Sequence, residues 1–271
     1  MCGIVGYLGS GRATSFLING LSKLEYRGYD SAGVAVLNKG NIEVRKFKGR
    51  LANLANDIKE NPVEGNMGIV HTRWATHGAP SDVNSHPHLN TKETIAVVQN
   101  GIIENYLTLR TWLKGEGYTF KSETDTEVIP NLIDYYYKGD LFEAVRKALK
   151  KLEGSYALGV VSKDEPDKLI AVRKECPLIV GLGKDESFIA SDIPAVLSYT
   201  RDVYLLEDHE IAVLTKDGVK LHGQDGQEIQ KEIYHVTWSE DAAEKGGFEE
   251  FMLKEIHEQP RAIRGAPLAP P

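Results

Sequence analysis

Short apolar runs separated by polar turns dominate most of the chain. Ile4 to Leu8, Gly33 to Leu37, Met67 to His71 and Thr94 to Gln99 are compact enough to read as buried strands. Ile42 to Phe47 alternates apolar and polar positions and predicts a half-exposed strand. A second series lies at Tyr156 to Ser162, Leu169 to Val172, Leu178 to Leu182, Phe188 to Ser191, Val203 to Leu206, Ile211 to Leu214 and Val219 to Leu221. Between the strands the apolar period changes to three and four. That spacing predicts helices over Phe16 to Leu24, Tyr106 to Leu113, Glu127 to Tyr137 and Leu141 to Leu152. Ser122-Glu123-Thr124-Asp125 supplies capping residues ahead of the third of these. Strands, then helices, then strands again favour stacked, largely antiparallel sheets with helices packed on them, an α+β arrangement. A doubly wound nucleotide fold is disfavoured, because neither a G-x-G-x-x-G helix start nor a phosphate-binding G-x-x-x-x-G-K-[ST] loop occurs.

The pattern shifts after Thr237. Residues 239–247 are polar and glycine-containing and predict a domain edge, so the expected division is 2–238 and 239–271. A helical pattern resumes from Phe248 to Ile263, followed by a proline-rich stretch to Pro271.

Composition adds exclusions. The 271 residues are 41% hydrophobic and carry a net charge of −7, a balance expected of a globular protein and not of a nucleic-acid binder. No apolar run is long enough to span a bilayer, and no basic leader precedes an apolar segment at the amino terminus. Two cysteines, Cys2 and Cys176, do not make a secreted disulfide framework, which favours a reduced, cytoplasmic setting.

The candidate chemistry begins at Cys2. Methionine removal favours a small second residue, so Cys2 would become the amino terminus and carry a thiol and an α-amine together. With a reference pKa of about 7.7–8.0, that amine can accept the thiol proton near neutral pH without a histidine partner. Taken alone, a cysteine at position two is better explained as an accident of the start site. His71-Thr72-Arg73-Trp74-Ala75-Thr76-His77-Gly78 alters that judgement, because such density of polar and aromatic residues after a buried strand suits a binding loop. Arg73 could grip a carboxylate with two parallel bonds. His71, His77, His86 and His88 raise the thought of a metal, but they lack a ligand spacing or a carboxylate partner, and no metal is expected. Asn100-Gly101 offers a side-chain amide beside a backbone N–H, a workable oxyanion hole, although the pair by itself reads first as an Asn-Gly turn. Asp125 could hold a substrate amine or cap a helix. Cys176 fits no catalytic pattern and reads as a small packing residue.

Cys2 to Gly6, Leu24-Glu25-Tyr26-Arg27-Gly28-Tyr29-Asp30-Ser31-Ala32-Gly33, the His71 to Gly78 loop, Asn100 to Asn105 and Ser122 to Val128 together resemble the glutaminase domains of the glucosamine-6-phosphate synthase family, which are class II glutamine amidotransferases. Lys254 to Pro260 is similar to the segment that leads into that family's isomerase domain. The resemblance implies a four-layer αββα N-terminal-nucleophile hydrolase sandwich. It implies Cys2 as nucleophile with its own amine as base, and Asn100 and Gly101 as oxyanion donors. Arg73 would hold the α-carboxylate of L-glutamine and Asp125 its amine, with Thr76 and His77 completing the pocket. Trp74 would sit on a closing loop, and Arg27 and Gly28 beside Cys2. It implies no cofactor, a homodimeric full-length enzyme, and action on fructose 6-phosphate only through an isomerase domain outside this chain. The purine-pathway amidotransferases share the terminal cysteine and the Asn-Gly pair but typically lack the Trp-Ala-Thr-His string; asparagine synthetases differ more. A glutamine-binding module without turnover is the remaining alternative.

Overall fold

The structure is a computed structural model that describes residues 2–238, 248 and 251–265. The chain divides after Val236 into two compact units. Met1, residues 239–247 of the expected polar edge, and the final proline-rich residues lie outside the described ones.

The first unit holds fifteen described strands: β1 (Gly3–Leu8), β2 (Ser31–Asn38), β3 (Asn41–Lys48), β4 (Met67–Arg73), β5 (His88–Leu89), β6 (Ile95–Ile103), β7 (Gly154–Ser162), β8 (Glu165–Lys174), β9 (Ile179–Leu182), β10 (Ser187–Ala190), β11 (Asp202–Leu205), β12 (Ile211–Thr215), β13 (Gly218–His222), β14 (Glu228–Ile229) and β15 (Tyr234–His235). Its helices are α1 (Ala13–Ser22), α2 (Leu51–Glu60), α3 (Tyr106–Gly115), α4 (Val128–Tyr136) and α5 (Leu141–Leu149). One sheet has the order β15-β11-β9-β10-β1-β4-β2-β3 and the other β14-β13-β12-β8-β7-β6-β5. Every ladder between these strands is antiparallel.

The sheets stack through a core that includes Ile4, Leu8, Met67, Ile69, Ala96, Val98, Ala157 and Leu169. Helices α3 to α5 cover the far face of the second sheet, with Leu113, Ile129, Leu132 and Val145 against Ile95, Val97 and Ile170. Helix α1 lies against β1 and β4, and α2 against β2 and β3. The architecture is the four-layer αββα N-terminal-nucleophile hydrolase sandwich, α+β in class.

Strand alternation then places the chemistry. Side chains two apart share a face, so Cys2, Ile4, Gly6 and Leu8 point one way, as do Met67, Ile69, His71 and Arg73, and Ala96, Val98 and Asn100. In each strand the apolar part of the stripe fills the space between the sheets, and the polar part lies at one end of it. A buried Leu or Ile contributes about 1.5–3 kcal/mol. The chain forgoes that gain at Cys2, His71, Arg73 and Asn100, all at the same end of the sandwich.

Three local readings change. Asn100-Gly101 is not a turn: β6 continues through both to Ile103, pairing Asn100 with Ala157 and Gly101 with Tyr156. The Ser122 to Asp125 segment does not cap α4 with its side chains; the cap position is Glu127, without a side-chain cap bond. The carboxylate of Asp125 instead reaches across to β6. Helix α2 was not foreseen, because only Leu51 and Leu54 of it are buried, among Asn, Asp, Lys and Glu.

The second unit contains α6 (Phe251–Gly265), which carries Pro260 within it and exposes Met252, Leu253, Ile256 and Ile263. No described helix is long and apolar enough to cross a membrane.

Candidate active site

At the polar end of the sandwich a cavity of about 320 Å³ is lined by Cys2, Arg27, Arg73, Trp74, Thr76, Asn100, Gly101 and Asp125. Gln99, Ile102, Thr126, Ser155, His86, Cys176 and Pro177 complete its wall. Of the sequence candidates, Gly28 and His77 are not among the residues that line it.

Cys2 enters the cavity from the start of β1, the strand between β10 and β4. Burial pushes its thiol up from the ordinary value, while the backbone N–H of Trp74, which donates to Sγ at 3.1 Å, acts in the opposite direction. The resting sulfur therefore holds its proton near neutral pH and needs a base to become a nucleophile.

Asn100 donates from Nδ2 to the Cys2 carbonyl oxygen at 3.0 Å, and its Oδ1 lies 3.0 Å from His71 Nε2. Gly101 follows with φ +106°, and a β-carbon added there would sit 2.1 Å from the Ser155 carbonyl oxygen. Only glycine fits, so the glycine of the Asn-Gly pair is required by the packing of β6 against β7.

Arg73 is buried at the end of β4, and burial lowers its pKa from the usual guanidinium value. Nη2 donates to the carbonyls of His77 and Gly78. Among the described residues Nη1 is buried with no hydrogen-bond partner. A buried donor without an acceptor is destabilising by roughly 1–3 kcal/mol, so it marks a position that an oxygen ligand would satisfy. Asp125, on the same cavity, accepts from the Ile103 backbone N–H at Oδ2 (2.8 Å) and leaves Oδ1 3.8 Å from His77 Nδ1. Burial raises its pKa, and the Ile103 N–H counteracts that. A cation donor and an anion thus share a cavity with a thiol, as the main-chain groups of an amino acid require.

The Tyr26 to Asp30 segment holds the loop after β4. Asp30 Oδ2 accepts from Ala75 N–H at 2.8 Å, and its own N–H donates to Arg73 O at 3.0 Å. Gly28 packs so closely that an added β-carbon would come within 2.8 Å of the Arg73 carbonyl carbon. Arg27 pairs with Asp192 at 2.6 Å, with Tyr26 OH donating to the same carboxylate at 2.9 Å. Trp74 is 48% exposed and meets Tyr29 edge-on at 5.5 Å, so its indole borders solvent while its backbone contacts the thiol.

Sequence reasoning missed Asp192, Ser155 and the position of Cys176. Cys176 packs against the core as expected and also lines the cavity, its sulfur 3.0 Å from where a Gly101 β-carbon would stand. No local signal ties residue 176 to residue 101, because they meet through Tyr156, which pairs with Gly101 in the β6–β7 ladder and bridges Glu175. The four histidines also part company. His71 stacks on His86 at 4.3 Å and His86 meets His88 at 4.9 Å, and their ring nitrogens reach Asn100, Thr126 and Thr124. His77 instead borders Tyr106 and Asp125.

Comparison with known proteins gives the chain's relatives. Residues 71–198 match the family described as "Glutamine amidotransferase domain". The chain is 69% identical over 264 residues to the glutamine–fructose-6-phosphate aminotransferase (isomerizing) of Clostridium perfringens, covering 97% of this chain and 43% of that protein. With the same-named protein of Aquifex aeolicus it shares 53% identity over 263 residues, 97% of this chain and 44% of that one. The chain thus spans less than half the length of the curated relatives it matches. Among solved structures, the glutamine phosphoribosylpyrophosphate amidotransferase of B. subtilis superposes with a TM-score of 0.72 at 24% identity, over 82% of this chain and 49% of that one. A second, described as the allosteric regulatory enzyme of purine biosynthesis, gives 0.74 at 25% identity with the same coverage. By motif, fold and sequence identity, the chain belongs to the class II glutamine amidotransferase domains of the glucosamine-6-phosphate synthase family.

Proposed function

We propose that the chain hydrolyses L-glutamine to glutamate and ammonia through a thioester on Cys2, as the ammonia-supplying part of a glutamine–fructose-6-phosphate aminotransferase. The observation that carries this reading is the unsatisfied Arg73 Nη1 in one cavity with Asp125 and the Cys2 thiol. In the reading, Arg73 binds the α-carboxylate and Asp125 the α-ammonium, with Thr76 on the wall and His77 setting Asp125 from behind. Trp74 closes over the substrate, while Arg27, fixed by Asp192, and Gly28 support the loop beside the nucleophile.

Once Met1 is gone, the α-amine of Cys2 takes the thiol proton and Sγ attacks the side-chain amide carbon. The carbonyl oxygen gains the electron pair and is held by Asn100 Nδ2 and the Gly101 N–H. As the C–N bond breaks, the amine returns the proton to nitrogen, releasing ammonia and leaving the glutamyl thioester. Water then adds to the thioester, glutamate departs and the thiol is regenerated. The raised thiol pKa supports the need for a base, and a retained Met1 would remove that base by placing it in a peptide bond.

The much higher identity to the sugar-phosphate aminotransferases than to the purine enzymes supports the first assignment over the second. Fructose 6-phosphate would be used only by an isomerase domain outside this chain. The exposed apolar side chains of α6 support a role for residues 239–271 in joining such a domain. A cytoplasmic, homodimeric full-length enzyme completes the proposal.

The test is glutamate release from glutamine by the Met1-processed chain, lost in Cys2→Ala. Hydrolysis surviving in Cys2→Ala refutes the proposal. A glutamine analogue with an electrophilic side chain should label Cys2, and labelling confined to Cys176 would also refute it.

A further inference from the structure

His71 is fully buried, and it is not among the groups that would touch glutamine. Its alternation on β4 aims it into the space between the sheets, where Nε2 lies 3.0 Å from Asn100 Oδ1. The other end of the same amide, Nδ2, donates to the Cys2 carbonyl at 3.0 Å. An amide has one accepting and one donating end, so whichever end faces His71 decides which faces the nucleophile. Facing the nucleophile with Oδ1 would set two carbonyl oxygens together and remove the donor from the place where negative charge develops.

The surroundings settle the ring. Burial holds His71 down to about 3, and the Arg73 charge acts the same way, so the imidazole is neutral. A neutral ring has one N–H. A proton on Nδ1 would leave two acceptors, Nε2 and Asn100 Oδ1, facing each other at 3.0 Å, and among the described residues Nδ1 forms no hydrogen bond of ordinary length although the Gln99 main chain also acts on the ring. On Nε2 it meets Asn100 Oδ1. The His86 ring stacked against it at 4.3 Å limits tilting, and His86 is itself fixed by the Gln99 N–H at Nδ1 and Thr126 Oγ1 at Nε2.

We propose that His71 is a positioning residue for the oxyanion hole: as a neutral donor from Nε2 it fixes the orientation of the Asn100 amide and keeps Nδ2 aimed at the reacting carbonyl. The inference rests on the glutaminase reading above.

Removing the donor should slow chemistry and spare binding, because Arg73 and Asp125 are unchanged. For His71→Leu, kcat should fall roughly 10- to 100-fold while KM for glutamine stays within about threefold. Iodoacetamide alkylation of Cys2 should keep its wild-type rate, which a collapsed site would not. In an Asn100→Ala background the same substitution should cost little more, since the amide it orients is gone. His71→Gln, whose amide can donate to Oδ1, should recover part of the loss. Unchanged kcat in His71→Leu, a loss confined to KM, a changed alkylation rate, or losses that multiply with Asn100→Ala each overturn the proposal. Where His71→Leu does not fold, His71→Gln carries the test: a rate as low as that of Asn100→Ala overturns it, and a rate nearer wild type supports it. Should wild type itself release no glutamate, the glutaminase reading fails; turnover by wild type and His71→Leu alike sinks only the role of His71.

Discussion

Replacing Gly101 by alanine adds one methyl group at the point where β6 passes closest to β7. The new β-carbon would stand 2.1 Å from the Ser155 carbonyl oxygen, more than an ångström short of ordinary contact, and 2.7 Å from its carbon. Ser155 is in a central ladder and Cys176 stands 3.0 Å away on another side, so the relief has to come from residue 101. A φ of +106° is also a conformation that alanine adopts only under strain of about 1–3 kcal/mol. Together with the contact this predicts a loss of about 3 kcal/mol, or roughly 6–12 °C in Tm for a domain of this size. The functional effect should be larger. A shift near 1 Å in a reacting geometry slows a reaction on the order of 10²-fold, and loss of one oxyanion donor by about 10²–10³. Glutamate production followed by a coupled dehydrogenase assay should show kcat reduced by about 10²–10³ with KM changed far less. Thermal melts on the same samples report the structural part. A Gly101→Ala chain with near-wild-type kcat and Tm would show that the backbone there yields easily and that its N–H is not a stabilising donor.

Arg73→Lys replaces a planar fork with a point charge, and charge-assisted hydrogen bonds contribute about 1.5–3 kcal/mol. KM for glutamine should rise roughly 10- to 100-fold with kcat far less affected, and an unchanged KM argues against carboxylate binding. Acid should unfold the domain partly through its buried histidines. His71 binds its proton only near pH 3 in the fold but near 6.5 in the unfolded chain, so the unfolded state takes up the proton first. The stability present above pH 6.5 is lost as pH falls toward 3, by about 2 kcal/mol at pH 5 from this group alone. His86 and His88, lowered by burial in the same way, add to it. Urea midpoints at pH 7 and pH 5 measure the effect, and equal midpoints would contradict it.

Much of this site was legible because its parts lie at strand ends, where an apolar run turns abruptly polar. Met67 to Val70 leading into His71-Thr72-Arg73, and Ile95 to Val98 leading into Gln99-Asn100-Gly101, show that change directly. Most strands were visible from their apolar runs, with ends extended by one to four residues where ladder bonds outlast the pattern, as at Ile103 in β6 and Glu165 in β8. Helix α2 was not visible, since two buried leucines in ten residues leave little stripe to detect. Asp125 showed the competition most clearly: its local sequence predicted a cap, while the fold used its carboxylate to hold the Ile103 N–H. Asp192 and Cys176 were beyond sequence reasoning, because their relevance depends on pairings such as Arg27 with Asp192, across 165 positions.

Strand β1 is hydrogen-bonded on one side to β4 and on the other to β10, with Val5 opposite both Val70 and Ala190. The residue that begins the site is therefore clamped by segments made much later during synthesis. A nascent chain that has not yet emerged through Ala190 cannot close the sheet around β1, however complete its Cys2, Arg73, Asn100 and Asp125 are. Competence for catalysis should arrive late on the ribosome and all at once, and long-range pairing of this kind also predicts slow refolding. The same geometry seats the front of the chain in the middle of a sheet beside a cavity of limited volume. A group added to the α-amine of Cys2 would therefore occupy space beside the thiol.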